Sequence, residues 1–119
     1  MRTTLAVAAG AAIGASARWG VGEAMSADGF PWATLIVNVL GCALIGWCAM
    51  RLRRGTVAWC FVVTGCLGGF TTASAFALDT RHLLDQGRTT VAVLYVVVSV
   101  VGGLAAAAST RRLAEGPAA

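Results

Sequence analysis

The chain has 119 residues, 58% of them hydrophobic and 12% charged, and a net charge of +4. An ordinary soluble domain is about a quarter charged, so the composition excludes one and points to a single membrane domain. All nine basic residues are arginine, mostly at the ends of apolar runs rather than in a stripe with interleaved aromatics; no nucleic-acid partner is expected.

At about 20 apolar residues per helical crossing, four spans are predicted. The first covers about residues 4–25. Arg2, the run from Leu5 and Ala15-Ser16-Ala17 imitate a cleaved leader, but the rest of the chain is as apolar, which favours a first span. Its Gly10 and Gly14 form a GxxxG face suited to close helix contact. A polar turn, Ser26 to Gly29, leads to Pro31, a residue that suits a helix start. The second span covers about 31–50 and ends at Arg51, Arg53 and Arg54. The third covers about 56–84. Inside it Gly68-Gly69, followed by Thr71, Thr72, Ala73 and Ser74, predicts a helix break at 68–72. The fourth covers about 89–110 and ends at Arg111 and Arg112, and residues 113–119 read as a short disordered tail. The expected fold is therefore an all-α membrane protein of four helices with the third broken near its middle.

Four crossings put both termini on one side. Arg2, Arg51, Arg53, Arg54, Arg111 and Arg112 fall on that side, and Arg81 and Arg88 on the other. The bias predicts cytoplasmic termini.

Irregular backbone is tolerated at membrane depth only where protein or a water-filled cavity shields it, and broken helices of this kind build ion sites. Carbonyls at the end of the first half-helix favour a cation. Thr71, Thr72 and Ser74 can cap the start of the second half-helix, whose positive end favours an anion, and the edge of the Phe76 ring can contact one. Asn38 lies mid-span, where a bare amide is costly, so it should face protein or a pore. Thr34 shares its face four residues earlier, and Tyr95 and Ser99 share a face of the fourth span. Together these four form a candidate hydroxyl and amide track. Helix–helix hydrogen bonding is the plainer alternative, and a hydroxyl can also satisfy itself on its own helix. Arg18 can snorkel, pair with Glu23 or Asp79, or attract anions at a pore mouth.

No catalytic constellation is visible, and an enzyme is not expected. His82, with Asp79 and Asp85 nearby, reads as an interfacial polar residue. Cys42, Cys48, Cys60 and Cys66 form no CxxC pair and read as small apolar side chains.

With these residues in view the chain resembles the Fluc/CrcB fluoride ion channel family. The resemblance spans nearly the whole chain. It rests on size, four spans, the Asn-x-x-Gly of Asn38 to Gly41, and above all Gly-Gly-Phe-Thr-Thr-Ala-Ser-Ala-Phe over residues 68–76, against a family pattern close to Gly-Gly-hydrophobic-Thr-Thr-Phe-Ser-Thr-Phe. The resemblance implies passive export of fluoride across the bacterial inner membrane by an antiparallel dimer with two pores. It also implies a structural sodium ion on the dimer axis, held by the carbonyls of Gly68 and Thr71. Asn38 maps to the pore asparagine, Phe76 to the second pore phenylalanine, Thr34, Tyr95 and Ser99 to the polar track, and Arg18 to an arginine near the end of span one. The first pore phenylalanine falls on Ala73. Each pore of the family takes aromatics from both subunits, so a homodimer of this chain would lack one in each pore. The strong arginine bias also disfavours a chain that must insert both ways. The expected partner is thus a second, oppositely oriented four-span subunit, with a homodimer as the alternative. The rival readings are a non-conducting structural subunit and a small proton-coupled exporter. The exporter would need an embedded acid in span one, and Glu23 lies too near that span's end.

Overall fold

The computed structural model of the chain describes residues 1–25 and 29–116. The expected turn at Ser26–Asp28 and residues 117–119 lie outside that range. The described residues fold into α1 (Arg2–Ala24), α2 (Trp32–Arg51), α3 (residues 57–70), α4 (Ala73–Asp85) and α5 (Thr89–Glu115), with no strand among them. Among the described residues three segments are long and apolar enough to cross a membrane: Trp32–Arg51, Val57–Asp85 and Thr89–Glu115. The chain is a multi-pass membrane protein. At 23 residues α1 is as long as a span, but it is built largely of alanine and glycine rather than large apolar side chains.

The helices associate in two parallel pairs. Along α1, Gly10 lies against the Phe61 carbonyl and Gly65, Gly14 against the Cys66 carbonyl and the Phe70 amide, and Arg18 against Gly69. Positions rise together on both helices, so α1 and α3 run the same way. The same holds for α2 and α5, where Val39 meets Gly102, Cys42 meets Gly103 and Gly46 meets Ala107. The predicted GxxxG face is a contact of bare backbone on backbone: Gly10 and Gly14 are both buried, and dispersion at such short range replaces the hydrophobic drive that lipid cannot supply. On the other pair Thr110 binds across to the Ala43 carbonyl at 2.7 Å.

The slab measures 46 × 40 × 20 Å and has little interior. Its buried cluster is Leu35, Leu83, Ala92 and Tyr95, with Phe30, Val39, Phe76 and Val91 packed against it. This cluster fastens α4 to the α2–α5 pair. Val37 and Leu67 are also buried, while many other large apolar side chains, such as Trp19, Leu78, Val97 and Leu104, point outward, as they do when the solvent is lipid.

Two expectations are corrected. Gly68 to Phe70 stay helical, and the chain leaves the helix at Thr71 (φ −75°, ψ 152°) and Thr72 (φ −142°, ψ 121°). The break therefore occupies the last two residues of the predicted 68–72. Gly69 serves packing instead: a Cβ there would lie 2.5 Å from the Ala11 carbonyl oxygen and 2.9 Å from its Cα. The stretch before the break, Cys60–Leu67, is wound as a π-helix, an uncommon form that concentrates at functional sites. The tail begins later than residue 113, because α5 continues to Glu115, where Arg111 pairs with Glu115 one turn on at 3.2 Å. Pairs at this spacing favour continued helix by about 0.2–0.5 kcal/mol.

Candidate functional site

The break is held by side chains from both neighbouring helices. Asn38 of α2 braces it from one side: its Nδ2 donates to the Thr72 carbonyl at 2.9 Å, and its Oδ1 accepts from the Thr72 amide at 2.8 Å. Both orphaned backbone groups of one extended residue are thereby satisfied by one amide side chain. From the other side Arg18 of α1 donates to the Gly69 carbonyl at 3.2 Å, a cation placed at a helix C-terminus, where the dipole favours it. Thr72 then starts α4 as its cap, its hydroxyl accepting from the Ala75 amide at 3.1 Å and lying 3.2 Å from the Ser74 hydroxyl. Thr71 turns back instead, its hydroxyl donating to the Leu67 carbonyl at 3.0 Å.

Two grooves meet at the break. The first, of about 340 Å³, is lined by Asn38, Cys42, Ile45, Thr71, Thr72, Ala73, Phe76, Ser99 and Val100. The second, of about 310 Å³, holds Arg18, Trp19, Glu23 and Thr34, with Thr72 again in its wall. Five of the predicted residues — Asn38, Thr71, Thr72, Phe76 and Ser99 — thus share the first groove. Thr34 and Arg18 share the second, and Ser74 lines neither. Thr34 and Asn38, expected on one track, line different grooves that have Thr72 in the wall of both.

Ser99 is the telling member. Its hydroxyl is buried and finds no hydrogen-bond partner among the described residues. The option of satisfying itself on its own helix is therefore not taken, and a buried polar atom without a partner calls for an explanation. Tyr95 is fully buried. Its hydroxyl donates to Asp79 at 3.3 Å, and its ring packs 5.4 Å from that of Phe76 and edge-on to Phe30 at 5.6 Å. Tyr95 thus backs the Phe76 ring and lies outside the open groove. Asp79 is the functional candidate that sequence reasoning gave no role beside Tyr95. The available signal was its place three residues after Phe76, on the same face of one helix.

The carbonyls at the break suit a hard cation. A continuing helix would send the Thr72 amide to the Gly68 carbonyl, but that amide goes to Asn38, so Gly68 loses its usual partner. Thr71 is extended. No cluster of three or more His, Cys, Asp or Glu able to hold a metal occurs among the described residues, and a cation here would rest on backbone oxygen.

Comparison with known proteins agrees with this architecture. A family model described as CrcB-like protein, Camphor Resistance (CrcB), matches residues 5–110. The Fluoride-specific ion channel FluC of Paracoccus denitrificans (strain Pd 1222) is 48% identical over 108 residues, covering 87% of each chain. That of Sphingopyxis alaskensis is 45% identical over 113 residues, covering 89% of this chain and 90% of the relative. The Fluoride-specific ion channel FluC 2 of Symbiobacterium thermophilum is 46% identical over 115 residues, covering 91% and 94%. A match that takes in every helix and the break, with relatives this similar over nearly their full length, decides the family: the chain belongs to the CrcB-like proteins.

Proposed function

We propose that this protein is a subunit of a fluoride-selective passive channel that exports fluoride from the cytoplasm, and not an enzyme. The observation that carries the reading is the unpartnered Ser99 hydroxyl, which shares a groove with Asn38 and Phe76. Fluoride holds its water tightly, and selectivity requires fixed donors in place of that shell. Ser99 supplies an O–H, Asn38 the amide hydrogen not committed to Thr72, and Phe76 a ring edge with partial positive charge. Arg18 and Thr34, in the second groove, draw anions toward the break. An inside-negative membrane drives the ion outward with about 2.3 kcal/mol per charge for each 100 mV, so no coupling site is needed.

The reading extends to topology and assembly. With α1 parallel to α3 and α2 parallel to α5, the simplest threading is four crossings with both termini in the cytoplasm of a bacterial inner membrane. A sodium ion held by the Gly68 and Thr71 carbonyls would neutralise the negative end of α3 and fasten two subunits at their breaks. The partner is a second four-span subunit in antiparallel orientation, a paralogue rather than a copy. Two observations support this: Ala73 stands beside Phe76 in the groove wall where the family pattern has an aromatic, and the arginine bias is strong. The alternative reading, a subunit that supports only its partner's pore, rests on the same alanine.

Fluoride efflux from liposomes tests both levels. The chain alone is expected to give weak efflux, and Ala73→Phe or the co-reconstituted paralogue to give strong efflux that excludes chloride. Robust efflux from the lone native chain would overturn the two-subunit reading and leave the channel standing. Absence of fluoride efflux from all three preparations would overturn the channel itself.

A further inference from the structure

A third groove, of about 420 Å³, opens between α2 and α5 at their C-terminal ends, away from the break. Its walls are Ile45, Gly46 and Ala49 on α2 and Ala107 and Ala108 on α5, and its mouth carries Arg111, Arg112 and Glu115. Apart from Ile45 the wall residues are small, and the two helices pack closely there: a Cβ on Gly46 would lie 2.9 Å from the Ala107 Cα.

The depth of the groove is set by helix length. From Thr89, about 20 residues at 1.5 Å each use up the ~30 Å hydrocarbon core. Arg111 and Arg112 therefore emerge at the headgroup level, with the alanine slot below them in the acyl region. Arg51, at the end of α2, stacks over Trp47 at 4.6 Å, which marks the same level, since Trp concentrates at membrane interfaces. Glu115 is engaged by Arg111, so Arg112 is the charge left to face the lipid.

We infer that this groove is a site for one anionic phospholipid, its phosphate held by Arg112, with Arg111 beside it tied to Glu115, and one acyl chain lying along Gly46, Ala49, Ala107 and Ala108. Charge selects the occupant: two arginines and one glutamate leave the mouth net positive over an apolar slot, which matches an anionic headgroup on an alkyl chain, and basic pockets between membrane helices bind such headgroups. The site shares only Ile45 with the fluoride groove and does not depend on the reading of that groove.

Native mass spectrometry of the full chain in micelles, doped with phosphatidylglycerol or phosphatidylcholine, tests the inference. The native chain is expected to retain phosphatidylglycerol in preference. The double variant R111Q/R112Q should lose that preference by on the order of tenfold. The double variant R53Q/R54Q removes equal charge from the α2–α3 connection and should keep it. Ala108→Leu fills the slot from an exposed position and should weaken retention with every arginine in place, which carries the test if the double variant fails to fold. Equal loss in R53Q/R54Q would overturn the site in favour of diffuse surface charge. So would equal retention of the two lipids, or retention unchanged in Ala108→Leu.

Discussion

Asn38→Ala is expected to abolish fluoride efflux and to destabilise the protein together. The substitution removes two hydrogen bonds at 2.9 and 2.8 Å and leaves the Thr72 amide and carbonyl without partners where water is scarce. Buried groups orphaned in this way cost about 1–3 kcal/mol each, so a loss of about 2–6 kcal/mol is expected. Asn38→Asp separates the two roles of the side chain. It keeps an acceptor for the Thr72 amide but sets a carboxylate against the Thr72 carbonyl and removes the donor to the groove. It should therefore fold better than the alanine variant when protonated and still fail to conduct. Thermal unfolding in detergent, followed beside liposome efflux, reads both effects. Native-like efflux from Asn38→Ala would show that the brace is dispensable.

Gly14→Ala carries the second large effect. A methyl group there would overlap the Cys66 carbonyl oxygen and sit 2.8 Å from the Phe70 amide nitrogen. Both obstacles are backbone, so no rotamer change relieves them and α1 must move away from α3. Overpacking in a tight interior costs about 1–3 kcal/mol and sometimes more, and this site belongs at the upper end. Moving α1 also withdraws Arg18 from the Gly69 carbonyl, so the break loses its second support. Gly20→Ala is the control, because a Cβ at Gly20 has nothing within 4 Å. The expected result is low yield or aggregation of Gly14→Ala in size-exclusion chromatography and a native profile for Gly20→Ala.

The three spans over Trp32–Arg51, Val57–Asp85 and Thr89–Glu115 and the GxxxG contact were legible because they depend on composition and spacing within one segment. Asn38, Ser99 and Phe76 stood out singly as polar or special residues within apolar spans, but they lie on three different helices, and only the family resemblance put them in one pore. What failed to show depends on two segments at once. Gly68-Gly69 reads as a helix breaker in isolation, but α1 lies so close that a glycine is required at 69 whatever the backbone does. Thr34 and Asn38 are four residues apart on one helix, yet they line different grooves, and Asn38 is taken up by the backbone of Thr72 from a distant segment. The tie from Tyr95 to Asp79 likewise joins residues 16 apart in sequence, whose meeting depends on how α4 folds back.

The reciprocal bonds between Asn38 and Thr72 also constrain biosynthesis. Residues 57–85 cannot hold their bend in lipid alone, because the exposed amide and carbonyl of Thr72 would each cost several kcal/mol. A segment leaving the insertion machinery by itself should run straight through Thr71 and Thr72 as helix, and bend only once Asn38 and Arg18 have drawn alongside. The kink is then a late product of assembly, made after insertion. A fragment of residues 56–86 in lipid is expected to give helical carbon chemical shifts at Thr71 and Thr72, where the whole chain gives extended ones; extended shifts in the fragment would place the bend in the segment's own sequence.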